Sequence, residues 1–191
     1  MAETQELDLS RLLLPIHEDD HVQGSVDAPY TLVEYGDYQC PNCGHLFVAI
    51  RDLRAELGDE LRIAFRHYPL SGIHRDAQMA AEAAEAAGAQ DHFWEMHDLL
   101  FEHQNALRLK YLYQYAEQID LDTKRFRSEL KERRYEDLVR EQFKRGVQNG
   151  VYSTPGLFIN GIRYDGPLDI AILRSRIVSS GDGRVSPDQS T

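Results

Sequence analysis

Tyr30 to Tyr35 reads YTLVEY, a run rich in β-branched and aromatic residues, and it leads almost directly into Cys40-Pro41-Asn42-Cys43. From Pro41 onward Leu46, Ile50, Leu53 and Leu57 recur at helical spacing, with proline suited to the first helical position and Gly58 to a C-terminal stop. Leu61, Ile63 and Phe65 then alternate with Arg62, Ala64 and Arg66 as a second strand. A strand–helix–strand unit is expected, with both cysteines of the chain at its first strand-to-helix junction.

Those two thiols have little to do as a staple. A chain of 191 residues with 42% apolar and 28% charged residues buries a core without one. A disulfide closing so small a loop would also remove little chain entropy. The stretch from Met1 to Leu9 is polar and acidic, and the apolar run from Leu12 to Ile16 is short and interrupted by Pro15. These features lead to the expectation of a cytoplasmic protein with no export signal and no membrane span. In a reducing compartment a close cysteine pair is more often catalytic or metal-binding than structural. The formal net charge of −11 argues against nucleic acid or an anionic membrane as partner.

Beyond the second strand the pattern turns helical from His74 to about Asn149. It comprises an alanine-rich run ending at Gly88; a helix with Asp91 as cap and Phe93, Met96 and Leu100 on one face; a third through Leu109, Leu112, Ala116 and Ile119; and a fourth capped by Asp122 that carries Phe126, Leu130, Leu138 and Phe143. Residues 108–145 hold eleven Lys or Arg against eight Asp or Glu, and Glu129/Arg133, Glu136/Arg140 and Glu141/Arg145 have the i,i+4 spacing of a solvated face. Asn160-Gly161 between two short apolar runs signals a hairpin with a type I′ turn. A last helix is expected around Ile170, Leu173 and Ile177. Residues 1–19 read as an N-terminal extension, 20–73 and 150–178 as the core, 74–149 as an insertion, and 179–191 as a disordered tail.

Cys40 would stand at a helix N-terminus, where free N–H groups and the dipole favour a thiolate, leaving Cys43 one turn on to resolve a mixed disulfide. A zinc half-site is the alternative, but zinc usually needs four ligands, and beyond Cys40, Cys43 and His45 it would need a distant histidine. The segment His17 to His21, HEDDH, has the form H-E-x-x-H of a zinc-binding helix. Pro15 close before it and two inner aspartates argue against that helix. His67, His92 and His97 read as structural residues.

Four segments, APYTLVEYGDYQCPNCGH, FRHYPL followed by AQMAAEAAEAAGAQ, FWEMHDLLFEHQ and STPGLFINGIRYDGP, make the chain resemble the DsbA-like thiol–disulfide oxidoreductases of the thioredoxin superfamily from about Asp20 to Ile177. The resemblance implies an α/β thioredoxin fold with a helical insertion between an N-terminal βαβ unit and a C-terminal ββα unit. It implies Cys40 as nucleophile, Cys43 as buried resolving thiol, and Thr154-Pro155 as a cis-proline loop facing them, with Glu34 matching an acidic residue often present on the strand before the cysteines. Pro41, Asn42, Thr154 and Pro155 would touch an extended substrate. Protein or small-thiol disulfides and a redox partner would be the reactants, with no bound cofactor, on a monomer or weak dimer. The neutral dipeptide Pro-Asn departs from strongly oxidising members, which carry a histidine there. A redox-regulated peptide-binding module or holdase is the alternative of a different class.

Overall fold

The computed structural model describes residues 8–181. These form a five-stranded mixed sheet and seven α-helices. The strands are β1 (His21–Gln23), β2 (Tyr30–Gly36), β3 (Leu61–His67), β4 (Gly156–Ile159) and β5 (Ile162–Tyr164), in the spatial order β1-β3-β2-β4-β5. β2 and β3 run parallel, joined by α1 (Pro41–Leu57), while the other pairs are antiparallel. Five helices, α2 (Ala77–Gly88), α3 (Phe93–Glu102), α4 (Leu109–Gln118), α5 (Thr123–Lys131) and α6 (Glu136–Gln148), intervene between β3 and β4, and α7 (Ile170–Gly181) closes the chain. This is the expected thioredoxin-like α/β architecture with a helical insertion.

The central strands are covered on both faces, as parallel pairs generally must be. Leu32, Leu61 and Ile63 pack against Leu46, Ile50 and Leu53 of α1 and Leu173 and Ile177 of α7. On the other face Val33, Tyr35, Ala64 and Phe158 meet Tyr68, Val151 and the side chains of Leu12, Ile16 and Phe143. A third cluster joins Cys40, Cys43, Phe47 and Phe65 to the insertion through Ala83, Ala87, Met96, Leu100 and Phe126. The alanines of α2 let neighbouring helices approach closely.

Local signals that set single backbone positions hold well. Pro41 opens α1 and Gly58 ends it at φ 52°. Asn160 and Gly161 take φ 48° and 77°, giving the type I′ turn between β4 and β5. Asp122 caps α5 by accepting from the amides of Lys124 and Arg125, both at 3.0 Å.

Three expectations need correction, and two features carry no signal in the sequence pattern. β1 went unread because three residues show no period. Asp91 is not a cap; it adopts φ 66°, and His92 precedes α3. The helix expected to continue from Asp122 is two helices, because Arg133 turns left-handed at φ 55°. Its amide and that of Arg134 bond back to the carbonyls of Leu130 and Glu129, a Schellman closure. Arg133 consequently pairs with buried Glu82 at 2.6 Å, and Glu129 with Arg125 at 2.9 Å, rather than with each other. Residues 179–181, expected to open a disordered tail, belong to α7, with the Ser180 hydroxyl 2.8 Å from Asn160 Nδ2; 182–191 lie outside the described residues. The second such feature is the burial of Arg66 in β3.

Arg66 is buried in a nest of acceptors. It makes a bidentate pair with Asp20 at 2.8 and 2.6 Å and donates to the carbonyls of Leu14 and Pro15 and to the Tyr35 hydroxyl. The described part of the N-terminal extension is thereby held against the sheet, helped by Asn149 Oδ1, which accepts from the amides of Leu13 and Leu14. Residues 1–7 lie outside the described residues.

Gly146 marks where α6 crosses this face. A Cβ there would stand 2.5 Å from Tyr68 Cδ2 and 3.0 Å from Tyr35 Cδ1. Gly→Ala inside a helix ordinarily stabilises by about 1 kcal/mol. Gly146→Ala should instead destabilise the fold by roughly 1–3 kcal/mol through overpacking, read as a lowered urea midpoint; a raised midpoint would mean that α6 shifts without cost.

Candidate active site

β2 ends at Gly36, and the chain turns through Asp37, Tyr38 and Gln39 before Cys40 enters the N-cap of α1 with φ −78° and ψ 122°. The Asp37 carboxylate organises that turn. Its oxygens accept from the amide of Gln39 at 2.7 Å, the amide of Leu70 at 2.8 Å and His74 Nδ1 at 2.8 Å, while its carbonyl accepts from the Cys40 amide at 3.1 Å. From the end of α3, Gln104 Nε2 donates to the carbonyls of Tyr38 and Cys40 at 2.9 and 2.8 Å. Gly44 leaves room for that reach, since a Cβ there would lie 2.3 Å from Gln104 Oε1.

Both cysteines are free thiols in this structure, and they are unequal. Cys40 is 6% exposed and Cys43 is fully buried. Cys40 Sγ lies 3.4 Å from the carbonyl oxygen of Thr154, and the Thr154–Pro155 peptide bond is cis. The Cys40 thiol is lowered to about 5, first by a hydrogen bond from the Cys43 thiol, against the opposing effect of burial, and then by the Thr154 side chain and the amides of Cys43 and Asn42. These amides are the unpaired donors of the helix start. Burial pushes Cys43 well above its ordinary value, and donation to Cys40 together with the charges of Glu34 and Cys40 pushes the same way.

Glu34 is 3% exposed, and its Oε1 has no hydrogen-bond partner. Desolvation, followed by the Cys40 charge, raises its carboxyl to about 8. The site therefore holds a stabilised anion at Cys40 and two protonated groups, Cys43 and Glu34, near neutral pH. Pro41 and Asn42 are exposed on the first turn of α1 beside Cys40, and Thr154 is buried. The seven residues singled out from sequence thus meet around one sulfur pair. Nothing in the sequence pattern sets Asp37, His74 and Gln104 apart; Gln104 ends the segment FWEMHDLLFEHQ, but only the fold reveals its reach.

The metal readings fare differently. Residues 17–20 form a turn closed by the Asp20 amide on the His17 carbonyl, so HEDDH has no helix. Among the described residues no third histidine or carboxylate joins Cys40 and Cys43 at metal-ligand spacing, and His45 is exposed on α1. His21, His67 and Glu85 do cluster: His21 Nε2 lies 3.0 Å from both Glu85 oxygens and His67 Nε2 lies 3.0 Å from one, off the direction of a hydrogen bond. Although burial alone would raise it, the Glu85 carboxyl is brought down to about 2 by these imidazoles. His97 is buried with Nδ1 3.1 Å from the Tyr38 hydroxyl, and His92 pairs with Glu95 near the surface.

A family model described as thioredoxin matches residues 17–178. The chain belongs to that family. Its fold is also that of alpha-DsbA1 from Wolbachia pipientis, with a TM-score of 0.75 at 20% identity over 90% of this chain and 94% of that one. Oxidised BdbD from Bacillus subtilis gives a TM-score of 0.75 at 22% identity, covering 85% and 92%. In sequence the chain is 44% identical over 179 residues to Na(+)/H(+) antiporter NhaA 3 of Salinispora tropica, a match that takes in 93% of this chain and 27% of that protein. The chain spans about a quarter of the length of the curated relatives it matches. Among its described residues no helix is long and apolar enough to cross a membrane.

Two predictions follow from the electrostatics of this thioredoxin-family site. Alkylation of the reduced protein should modify Cys40 alone at first, with a rate that rises through a midpoint near pH 5. A midpoint near 8.5, or faster modification of Cys43, would contradict the described geometry. For Glu34 the folded value of about 8 exceeds the ordinary 4.5, so the folded state keeps a proton that the unfolded chain loses. That costs stability progressively as pH rises from the lower value to the higher. Glu34→Gln should therefore leave stability at pH 4 nearly unchanged and raise it at pH 8 by on the order of 3 kcal/mol, measured by denaturant titration of reduced protein at both pH values.

Proposed function

We propose that the chain is a thiol–disulfide oxidoreductase that exchanges electrons between the Cys40/Cys43 dithiol and disulfides of proteins or small thiols. The observation that carries this reading is the asymmetry of the two sulfurs: Cys40 at about 5 and keeping 6% exposure, Cys43 raised and fully enclosed. The Cys40 thiolate attacks one sulfur of a disulfide, forms a mixed disulfide and releases the other sulfur as a thiolate. Cys43 then loses its proton and attacks the Cys40 sulfur, which frees the second thiolate and leaves a Cys40–Cys43 disulfide. The substrate is reduced by two electrons and the pair is oxidised by two.

Glu34 fits the proton step. Once Cys40 is tied up in the mixed disulfide its negative charge is gone, and with it one of the two causes that raise Glu34. The carboxyl then gives its proton up more readily, to the departing thiolate or to solvent, and the resulting carboxylate accepts the Cys43 proton as that thiol attacks. Pro41, Asn42, Thr154 and Pro155 would flank the substrate chain, with backbone pairing at Thr154. A groove of about 860 Å³ bordered by Leu70, Ile73, Phe143 and Tyr152 offers apolar surface for an unfolded partner. The same groove is what a peptide-binding module switched by the cysteines would use, and repeated turnover separates an enzyme from such a switch.

The proposal extends to redox poise and setting. A nucleophile at about 5 lies between the thiol values of thioredoxin, near 7, and DsbA, near 3.5. The potential should accordingly fall between roughly −270 and −120 mV. In a cytoplasmic glutathione poise of about −220 mV or lower, a pair in the part of this window above the poise would rest mainly as the dithiol. Equilibration with glutathione buffers checks the value. Catalysed reduction of insulin should be abolished by Cys40→Ser, while Cys43→Ser should accumulate mixed disulfides; a protein that reacts once and does not turn over would favour the switch.

A further inference from the structure

Beside the sulfur pair lies a cleft of about 520 Å³ whose charge opposes that of the whole molecule. Gln39 and Pro41, the two sequence neighbours of Cys40, form one side of it, together with Gln104. Arg75, Arg108 and Lys110 line it, against Asp76 as the single acidic residue among its walls. Asp76 stands 3.6 Å from Arg75 Nε, so it is matched within the cleft. Arg108 and Lys110 have no carboxylate partner among the described residues, and Lys110 Nζ rests 4.4 Å from the Tyr111 ring centroid.

The end of α4 adds to this field. The helix starts at Leu109, immediately after Arg108, with no acidic residue in its first turn and no side-chain cap. Its positive dipole end is unanswered where the two free cations stand. In a chain of net charge −11 this concentration of positive charge next to the nucleophile is an exception to the general field. The volume suits a ligand of about tripeptide size.

The geometry points to a binding site for the carboxylates of a low-molecular-weight disulfide, a substrate class that the Arg108/Lys110 cleft holds while its sulfurs meet Cys40. The inference rests on the exchange reaction proposed above and names its substrate class. The covalent step is unchanged: Cys40 joins one sulfur of the ligand, the other leaves as a thiolate, and Cys43 displaces the first. A carboxylate a few bonds from the sulfurs lies against the cations of the cleft while Pro41 and Thr154 border the reacting atoms. Gln104 connects the two places, because it both lines the cleft and holds the Cys40 carbonyl at 2.8 Å.

The test uses the reduced protein in single-turnover oxidation at low ionic strength. The probes are oxidised glutathione and 2,2′-dithiodiglycolate as anionic disulfides, and bis(2-hydroxyethyl) disulfide as the neutral one. Each rate is normalised to that of free dithiothreitol with the same probe. Net charge alone would make the anionic probes slower than the neutral one. The cleft predicts the reverse, an anionic-to-neutral ratio of roughly tenfold that falls steeply with added salt. Arg108→Ser combined with Lys110→Gln should bring the ratio to about one or below, whereas Lys124→Gln with Lys131→Gln, the same charge change on α5, should leave it in place. A ratio below one in the unmodified protein overturns the inference, as does a ratio equally affected by both pairs of substitutions. If neither anionic nor neutral disulfides oxidise the pair, the exchange reaction itself is refuted and the substrate class falls with it.

Discussion

A buried carboxylate at the end of β2 holds together the three segments that make the site. Asp37 accepts from Gln39 on the approach to α1, from Leu70 and His74 on the loop after β3, and its carbonyl takes the amide of Cys40. Because the charge is spread over directed N–H donors, it can stay in the interior without a full ion pair. Cys40 is thereby delivered to the start of α1 at an angle that places its sulfur before the Thr154 carbonyl, 114 residues further along the chain. Without that fixed entry the helix amides would have no defined anion to stabilise.

Buried carboxylates in this molecule are treated in three ways, and the contrast isolates the one that is chemically poised. Asp37 is satisfied by N–H donors. Glu82 and Glu85, both on the alanine-rich α2, are met by cationic or imidazole side chains brought from Arg133, His21 and His67. Glu34 and Glu129 each keep a buried oxygen without a partner among the described residues, but the other Glu129 oxygen is held by Arg125, whereas Glu34 shares its surroundings with the two sulfurs. Its carboxyl is held protonated by desolvation and by the negative charge of Cys40.

The insertion does more than enlarge the domain. Its alanine helix closes the cluster around Cys43 and Phe47, and the end of α3 sends Gln104 back to the carbonyls of Tyr38 and Cys40. The start of α4 supplies Arg108 and Lys110 to the cleft that Gln39 and Pro41 also line. On the opposite face Arg66 straps the N-terminal segment to the sheet through Asp20, Leu14 and Pro15. Both halves of the insertion and the terminal strap thus bear on strands that already exist in the βαβ unit, which is why the core can tolerate them.

Much of this was legible along the chain, for a physical reason. Proline at a helix start, glycine beyond its end, Asp122 before α5 and Asn160-Gly161 in a hairpin each act on backbone dihedrals and amides within a few residues, so local sequence determines them. The Cys40/Cys43 spacing likewise determined that one sulfur starts a helix and the other lies a turn inside. Distant partners decided the rest. A charged residue in an alternating or helical pattern reads as solvated, yet Arg66, Glu82 and Glu85 are buried because Asp20, Arg133 and His21 are folded against them from 46, 51 and 64 residues away. The break between α5 and α6 coincides with the left-handed turn at Arg133 that brings its side chain to Glu82. The acidity of Cys40, the proton held on Glu34 and the positive cleft beside them depend on burial and on charges from separate elements, quantities that no window of neighbouring residues contains, and only the tertiary structure determined them.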